Sequence, residues 1–440
     1  MKRRVFVVMF GLLAMNAFAD CKTVACMEAL SWRNGLTAIV LNAGNEMSRS
    51  AREAIQAAGG RIAVQSGQVV LAWIKPSAAA ALKRHPAISA VFLGRHESTL
   101  PLLSDPGSEA AFRFHAHVFD GTIGDRMEIA LAEPFVPFFD CASTSPDATK
   151  TGSSAASMPF GSALPLANPH PRRLAPAPQF NNQTPYKNPQ LLGYINVNVF
   201  FTESTGATDA NTYTWNDTDY ATALDEIYDA YTWWAGKAGD YGKTLSFHIN
   251  VVGKKNTQYE PIKHIATDRY LWVNDMLTSM GYGSSPVTEN NVLTAMDSYN
   301  ASTTGLCSPT CDSAFSVVVS YNSAVNDPNF LTGGNAFAYY DGPMAQVLWS
   351  NGGVSPTLMH SVVAHETGHI FWACDEYWNS STWGCQSCSY CATGWGPRST
   401  SSNANCEVSG VSGCDSPSVS CLMKRNTLSL CAHTREQIGW

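Results

Sequence analysis

The chain has 440 residues, 45% of them hydrophobic and 14% charged, with 28 Lys and Arg against 35 Asp and Glu for a formal net charge of −7. That length supports two or three domains with real cores, and the apolar content excludes wholesale disorder. The acidic balance gives no support to a nucleic-acid or anionic-membrane partner.

The chain opens MKRRVFVVMFGLLAMNAFADCK, in which Lys2, Arg3 and Arg4 precede an apolar run at 5–15 and then Ala17-Phe18-Ala19, a small-x-small cleavage pattern. A signal peptide over 1–19, cut after Ala19, is expected. Its apolar run is well under the roughly 20 residues a membrane span needs. No later stretch is long and apolar enough either, so the expected mature chain is exported, secreted or periplasmic, with no membrane span. Losing the three basic residues leaves 25 − 35 = −10. Thirteen cysteines suit an exported chain that forms disulfides.

An N-terminal domain is expected over 20–140. Within it, a strand at 37–41 is followed by a helix at 48–58 that closes at Gly59-Gly60, strands at 61–64 and 69–74, a helix at 77–84 and, after Pro86, a strand at 88–93. This order predicts a small ferredoxin-like split-βαβ domain. On its apolar spacing and on LKRHPAISAVF, residues 82–92, it resembles the propeptide and inhibitor domains of the subtilisin type over about sixty residues. Residues 141–190 are dense in Pro, Ser, Ala and Asn without an apolar period, which predicts an extended linker. Arg172-Arg173 inside it is a conceivable processing point.

Residues 191–440 form the expected second domain. Strands are predicted at 193–201, 245–252 and 315–321, and helices at 220–235 and 264–280. The segment 336–349, interrupted by Gly342-Pro343, is expected as an edge strand, where a missing amide hydrogen does least harm. Ser355 then caps a helix with Pro356 in its first turn. The alternation predicts an α/β (α+β) domain with a mainly parallel sheet.

On that last helix Leu358, Val362, His365, His369 and Trp372 fall on one stripe. His365-Glu366-Thr367-Gly368-His369 is an H-E-x-x-H motif. Two imidazoles one turn apart bind a single Zn²⁺, and the glutamate between them reaches its water as general base. A catalytic zinc needs a third protein ligand and one open position.

With this motif, Asp375 six residues beyond His369 and Met423 in SCLMKR, residues 191–440 resemble the metzincin metallopeptidases. The resemblance implies Asp375 as third ligand, with Glu376 as the alternative, and Met423 as the methionine turn beneath the metal. FWACDEYW also resembles the Asp-Glu-Tyr segment of the immunoglobulin-A-cleaving metallopeptidases. Two departures stand out. Trp372 occupies the place of the family's turning glycine, and Arg425 that of its tyrosine after the methionine. Were the helix to continue, Asp375 would lie about 9 Å beyond His369 along the axis. A break between Ile370 and Cys374 is therefore required, with a left-handed residue costing about 1–2 kcal/mol.

What the resemblance implies is an exported zinc endopeptidase, made as a precursor, acting on protein or peptide substrates. Zinc polarises the scissile carbonyl while Glu366 takes a proton from water and passes it to the leaving amine. The strand at 336–349 would hold an extended substrate by strand addition. A non-catalytic extracellular binding protein with structural zinc is the competing reading, in which Glu366 has no use. The ten cysteines from Cys307 onward suggest five disulfides, and Cys385, Cys388 and Cys391 could instead hold a structural zinc. If Cys21 pairs with Cys26, Cys141 either pairs elsewhere or, as the resemblance implies, is left to block the metal's open position and keep the precursor latent.

Overall fold

The computed structural model describes residues 35–42, 47–93, 103, 105–120, 189–210, 213–323, 326–327, 329–331, 335–350, 356–376, 397, 400–403, 405 and 419–440. The expected signal peptide, Cys21, Cys26, Cys141, Arg172-Arg173 and Ser355 lie outside them, as do Cys385, Cys388, Cys391, Cys406 and Cys414.

The N-terminal elements are β1 (Leu36–Leu41), α1 (Arg49–Ala57), β2 (Arg61–Ser66), β3 (Val69–Trp73), α2 (Pro76–Leu82), β4 (Ile88–Phe92) and α3 (Pro106–Asp120). Local chemistry sets their ends. The Ser48 hydroxyl accepts the Ala51 amide hydrogen to start α1, and Gly59 at φ 72° ends it. Strands β1 to β4 pair antiparallel in the order β4-β1-β3-β2, the arrangement of a split-βαβ unit.

The second set is β5 (Gly193–Ser204), α4 (Asp217–Asp240), β6 (Leu245–Thr257), α5 (Tyr270–Ser279), α6 (Glu289–Thr303), β7 (Ser313–Ser320), β8 (Ala336–Ala338), β9 (Met344–Leu348), α7 (Met359–Ile370), α8 (Leu422–Arg425) and α9 (Ala432–Gln437). Strands β6, β5, β7 and β9 run parallel, and β8 closes the edge antiparallel to β9. Helix α4 is longer than its apolar stripe suggests, because Asn216 caps it ahead of Asp217 and Asp219. The predicted single edge strand is two strands: Asp341 at φ 67° and Gly342 at φ 70° turn the chain between them, so only β8 is an edge. The predicted helix at 264–280 begins as an α-helix only at Tyr270, since His264 is drawn aside by Asp209 at 2.6 Å.

The two units share one sheet, ordered β4-β1-β3-β2-β6-β5-β7-β9-β8. They join where β2 pairs parallel to β6, at Val64 with Phe247 and Gln65 with His248. Around this seam Ser66 donates to the Ile249 carbonyl at 2.8 Å and accepts from Tyr228 at 2.7 Å. The Arg61 guanidinium donates to the carbonyls of Ala235 and Gly236, against Gly239, where a Cβ would collide with it. Phe112 and Phe114 of α3 enter the same core as Tyr228, Trp233 and Trp234 of α4. Each buried ring of this size contributes about 1.5–3 kcal/mol.

Helices α3, α4 and α7 cover one face of the sheet. The other is covered by α1 and α2 at one end and by α5 and α6 at the other. No described helix is long and apolar enough to cross a membrane. Cys307 and Cys311 are joined, and Cys374, Cys421 and Cys431 are buried.

Candidate metal centre

All twelve residues of α7 are buried, and it is anchored to α4 by polar contacts as well as packing. Trp234 donates its indole N–H to the Ala364 carbonyl at 3.1 Å, and the hydroxyls of Tyr231 and Thr367 lie 3.3 Å apart. The start of the helix is satisfied from outside: Glu226 accepts from the His360 backbone N–H at 3.0 Å and pairs with its Nδ1 at 2.5 Å.

The end of α7 is what makes a three-residue site possible. Trp372 adopts φ 76°, its N–H bonds the His369 carbonyl at 3.0 Å, and the Ala373 N–H reaches back to the Gly368 carbonyl at 3.0 Å. Those two bonds with a left-handed residue constitute a Schellman motif. Tryptophan therefore does here what glycine does at lower cost, and the chain folds back over the helix it has just left.

Asp375 is thereby brought onto the histidines. Its Oδ1 lies 3.0 Å from His365 Nε2 and 3.2 Å from His369 Nε2, and the two Nε2 atoms are 3.1 Å apart. Each ring is oriented through its other nitrogen. His365 Nδ1 lies 3.0 Å from the Leu422 carbonyl and His369 Nδ1 lies 2.7 Å from the Ala373 carbonyl. A carbonyl only accepts, so both Nδ1 atoms carry hydrogen, and the tautomer this selects has its lone pair on Nε2. Two lone pairs and a carboxylate oxygen facing one another repel unless a proton or cation lies among them.

The donor set fits zinc. Ligand bonds of 2.0–2.1 Å in a tetrahedron give ligand-to-ligand edges of about 3.3 Å, close to the observed 3.0–3.2 Å. Burial pushes the Asp375 carboxyl up, but His369 and His365 outweigh it and hold the pKa well below the usual carboxylate range. His369 is raised: burial alone would lower it, and Asp375 with the Ala373 carbonyl more than offsets that.

Glu366 is buried beside them, and its Oε2 has no hydrogen-bond partner among the described residues. Burial pushes its pKa up to about 8, against the opposing pull of His365 and with the help of the Asp375 charge. A buried carboxyl oxygen left in this way costs on the order of 1–3 kcal/mol.

Glu376, the alternative ligand, points elsewhere. Its Oε1 accepts from Cys431 Sγ at 2.9 Å and Thr434 Oγ1 at 2.8 Å, and its Oε2 from Asn405 Nδ2 at 2.6 Å. Its backbone N–H bonds the Met423 carbonyl at 2.9 Å. Met423 is wholly buried under α7, where its sulfur would stand 2.8 Å from a Cβ on Gly368. Asn426 at φ 50° completes the turn by donating its N–H to Leu422.

Three participants are not evident in the sequence. Leu422 and Ala373 act through their carbonyls, which no side-chain pattern reveals. Tyr340, in the turn between β8 and β9, sets its ring 5.1 Å from that of His369 and 6.2 Å from Trp372. The Tyr-Asp-Gly-Pro turn sequence was its only signal. No family of known proteins, curated protein or solved structure matches the chain.

Proposed function

We propose that the chain is an exported zinc endopeptidase that hydrolyses peptide bonds of protein or peptide substrates. The observation that carries this reading is the convergence of His365 Nε2, His369 Nε2 and Asp375 Oδ1 within 3.2 Å beside Glu366, whose Oε2 has no hydrogen-bond partner among the described residues. A structural zinc site has no need of that fourth group. In this reading residues 191–440 are a metzincin-type catalytic domain. The parallel strands, the reversal at Trp372 and the methionine turn support it.

His365, His369 and Asp375 hold the metal, and the Leu422 and Ala373 carbonyls keep both rings aimed at it. Bound zinc supplies Lewis acidity toward a scissile carbonyl and toward water. Glu366, whose carboxyl burial pushes up to about 8 in the metal-free site, would be ionised beside a bound cation and so take a proton from water and return it to the departing amine. Tyr340 and Trp372 form an aromatic wall beside His369.

Casein cleavage and zinc content, measured together on the purified exported protein, test this. Wild type should cleave and hold zinc, while Glu366→Ala should keep the zinc and lose cleavage by at least 100-fold, the order expected for a general base. Zinc retained with no cleavage by wild type would favour the binding-protein reading. Cleavage surviving in Glu366→Ala would overturn the mechanism.

A further inference from the structure

Among the described residues, a second group that could hold a metal has no role in this mechanism: Glu376, Cys421 and Cys431, whose ligating atoms lie within 4.8 Å of one another. The sulfurs are adjacent because the chain doubles back. Leu422 donates its N–H to the Ser429 carbonyl at 2.7 Å, which lays the two arms side by side. Cys431 donates its own backbone N–H to Cys421 Sγ at 3.3 Å. Both sulfurs also reach one hydroxyl, Thr434 Oγ1, at 3.0 and 3.5 Å.

We propose that Cys421 and Cys431 are joined as a disulfide in the exported protein, and that this bond locks the turn that orients His365. Only the second half rests on the zinc reading. The ring it closes contains the Leu422 carbonyl that bonds His365 Nδ1, Met423 beneath Gly368, and the Met423 carbonyl that bonds the Glu376 N–H next to Asp375. One cross-link therefore braces the supports of two metal ligands.

The chemistry is thiol–disulfide exchange with a protein disulfide oxidant of the export compartment. One cysteine thiolate attacks the oxidant's disulfide and expels one of its sulfurs as thiolate. The second cysteine thiolate then attacks the mixed disulfide and expels the other. The two cysteines lose two protons and two electrons, and the oxidant leaves as two thiols. Since Cys421 is 0% and Cys431 5% exposed, exchange precedes their burial.

A second metal ion is the poorer occupant. In the thiol form Glu376 Oε1 already accepts from Cys431 and Thr434, and Cys421 Sγ from the Cys431 N–H, so those atoms are satisfied without a cation. Oxidation also competes with thiolate ligation outside the cytoplasm.

The test is a peptide map of the full chain, exported to an oxidising compartment, alkylated with iodoacetamide and digested with trypsin without reduction. Lys424 and Arg425 lie between the cysteines, and a second digestion before Asp415 removes Cys406 and Cys414, so Cys421 on 415–424 and Cys431 on 426–435 are each the only cysteine of a separate peptide. The expected result is one mass joining the two. Either cysteine found alkylated, or joined to a different cysteine, overturns the proposal.

Zinc loss to a chelator then reads the second half. Cys421→Ala, Cys431→Ala and the double variant should each lose zinc on the order of 10-fold faster than wild type, the double no faster than the singles. Unchanged loss rates overturn the bracing role. If wild type holds no zinc, the peptidase reading fails while the map still decides the cross-link. A second equivalent of zinc that disappears in these variants would make the pair a metal site instead.

Discussion

The Met423 sulfur fills the place beside α7 that a side chain on Gly368 would need, 2.8 Å from the missing Cβ. Gly368 is thus required by its neighbour, in a helix where alanine would otherwise be favoured by about 1 kcal/mol. Gly368→Ala should displace the methionine turn, destabilise the metal-free protein by about 1–3 kcal/mol and weaken zinc binding on the order of 10-fold. Urea unfolding and chelator competition measure the two effects. A variant as stable as wild type would remove the packing role given to Met423.

Trp372 carries left-handed strain at φ 76°. Comparing Trp372→Gly with Trp372→Ala isolates that strain from loss of the indole, because both lack the ring. The glycine variant should be the more stable by about 1 kcal/mol, the reverse of their order within a helix. Equal stabilities would mean that the turn relaxes when the ring is removed.

Acid and base act in opposite senses on the metal-free site. Glu366 has a folded pKa near 8, so its contribution is most favourable below the ordinary carboxylate range and is lost as pH rises toward 8. Asp375 is held low, so its contribution is present above that range and is lost in acid. Glu366→Gln removes the first dependence and keeps the second. Between pH 5 and 8 the stability of wild type relative to this variant should fall by roughly 3 kcal/mol, at 1.36 kcal/mol per pKa unit. Chemical unfolding at several pH values measures it. A constant difference would contradict the burial of an ionisable Glu366.

The seam between β2 and β6 predicts that the N-terminal unit is held by more than its covalent connection. With a site for a sequence-specific protease inserted between residues 150 and 180, the cut protein should elute as one species in native buffer and as two in urea. Arg61→Ala, which removes bonds to the Ala235 and Gly236 carbonyls, should lower the urea concentration at which the pieces part. Separation in native buffer would show that the seam is too weak to hold the unit.

Much of the site is legible in the sequence because its chemistry is local. His365, Glu366 and His369 are set by one helical turn, and the need for a chain reversal before Asp375 follows from helix geometry alone. The exclusion of Glu376 does not follow, since it depends on Cys431, Thr434 and Asn405 arriving from distant segments. Strands with strong alternation and helices with clear caps are similarly evident. Helices α3 and α6 are not, because Pro106-Gly107 masks the start of one and a polar sequence covers the other. The shared sheet rests on two residue pairs between β2 and β6, too short a pairing to leave a sequence pattern.

The central claim is that one zinc ion sits among three particular atoms. Anomalous diffraction from crystals of the purified protein, collected on either side of the zinc absorption edge, tests it directly. The account predicts a single strong peak about 2.0–2.2 Å from His365 Nε2, His369 Nε2 and an Asp375 carboxylate oxygen. A zinc peak bound by Glu376 in place of Asp375, or no peak at the histidines, would contradict it.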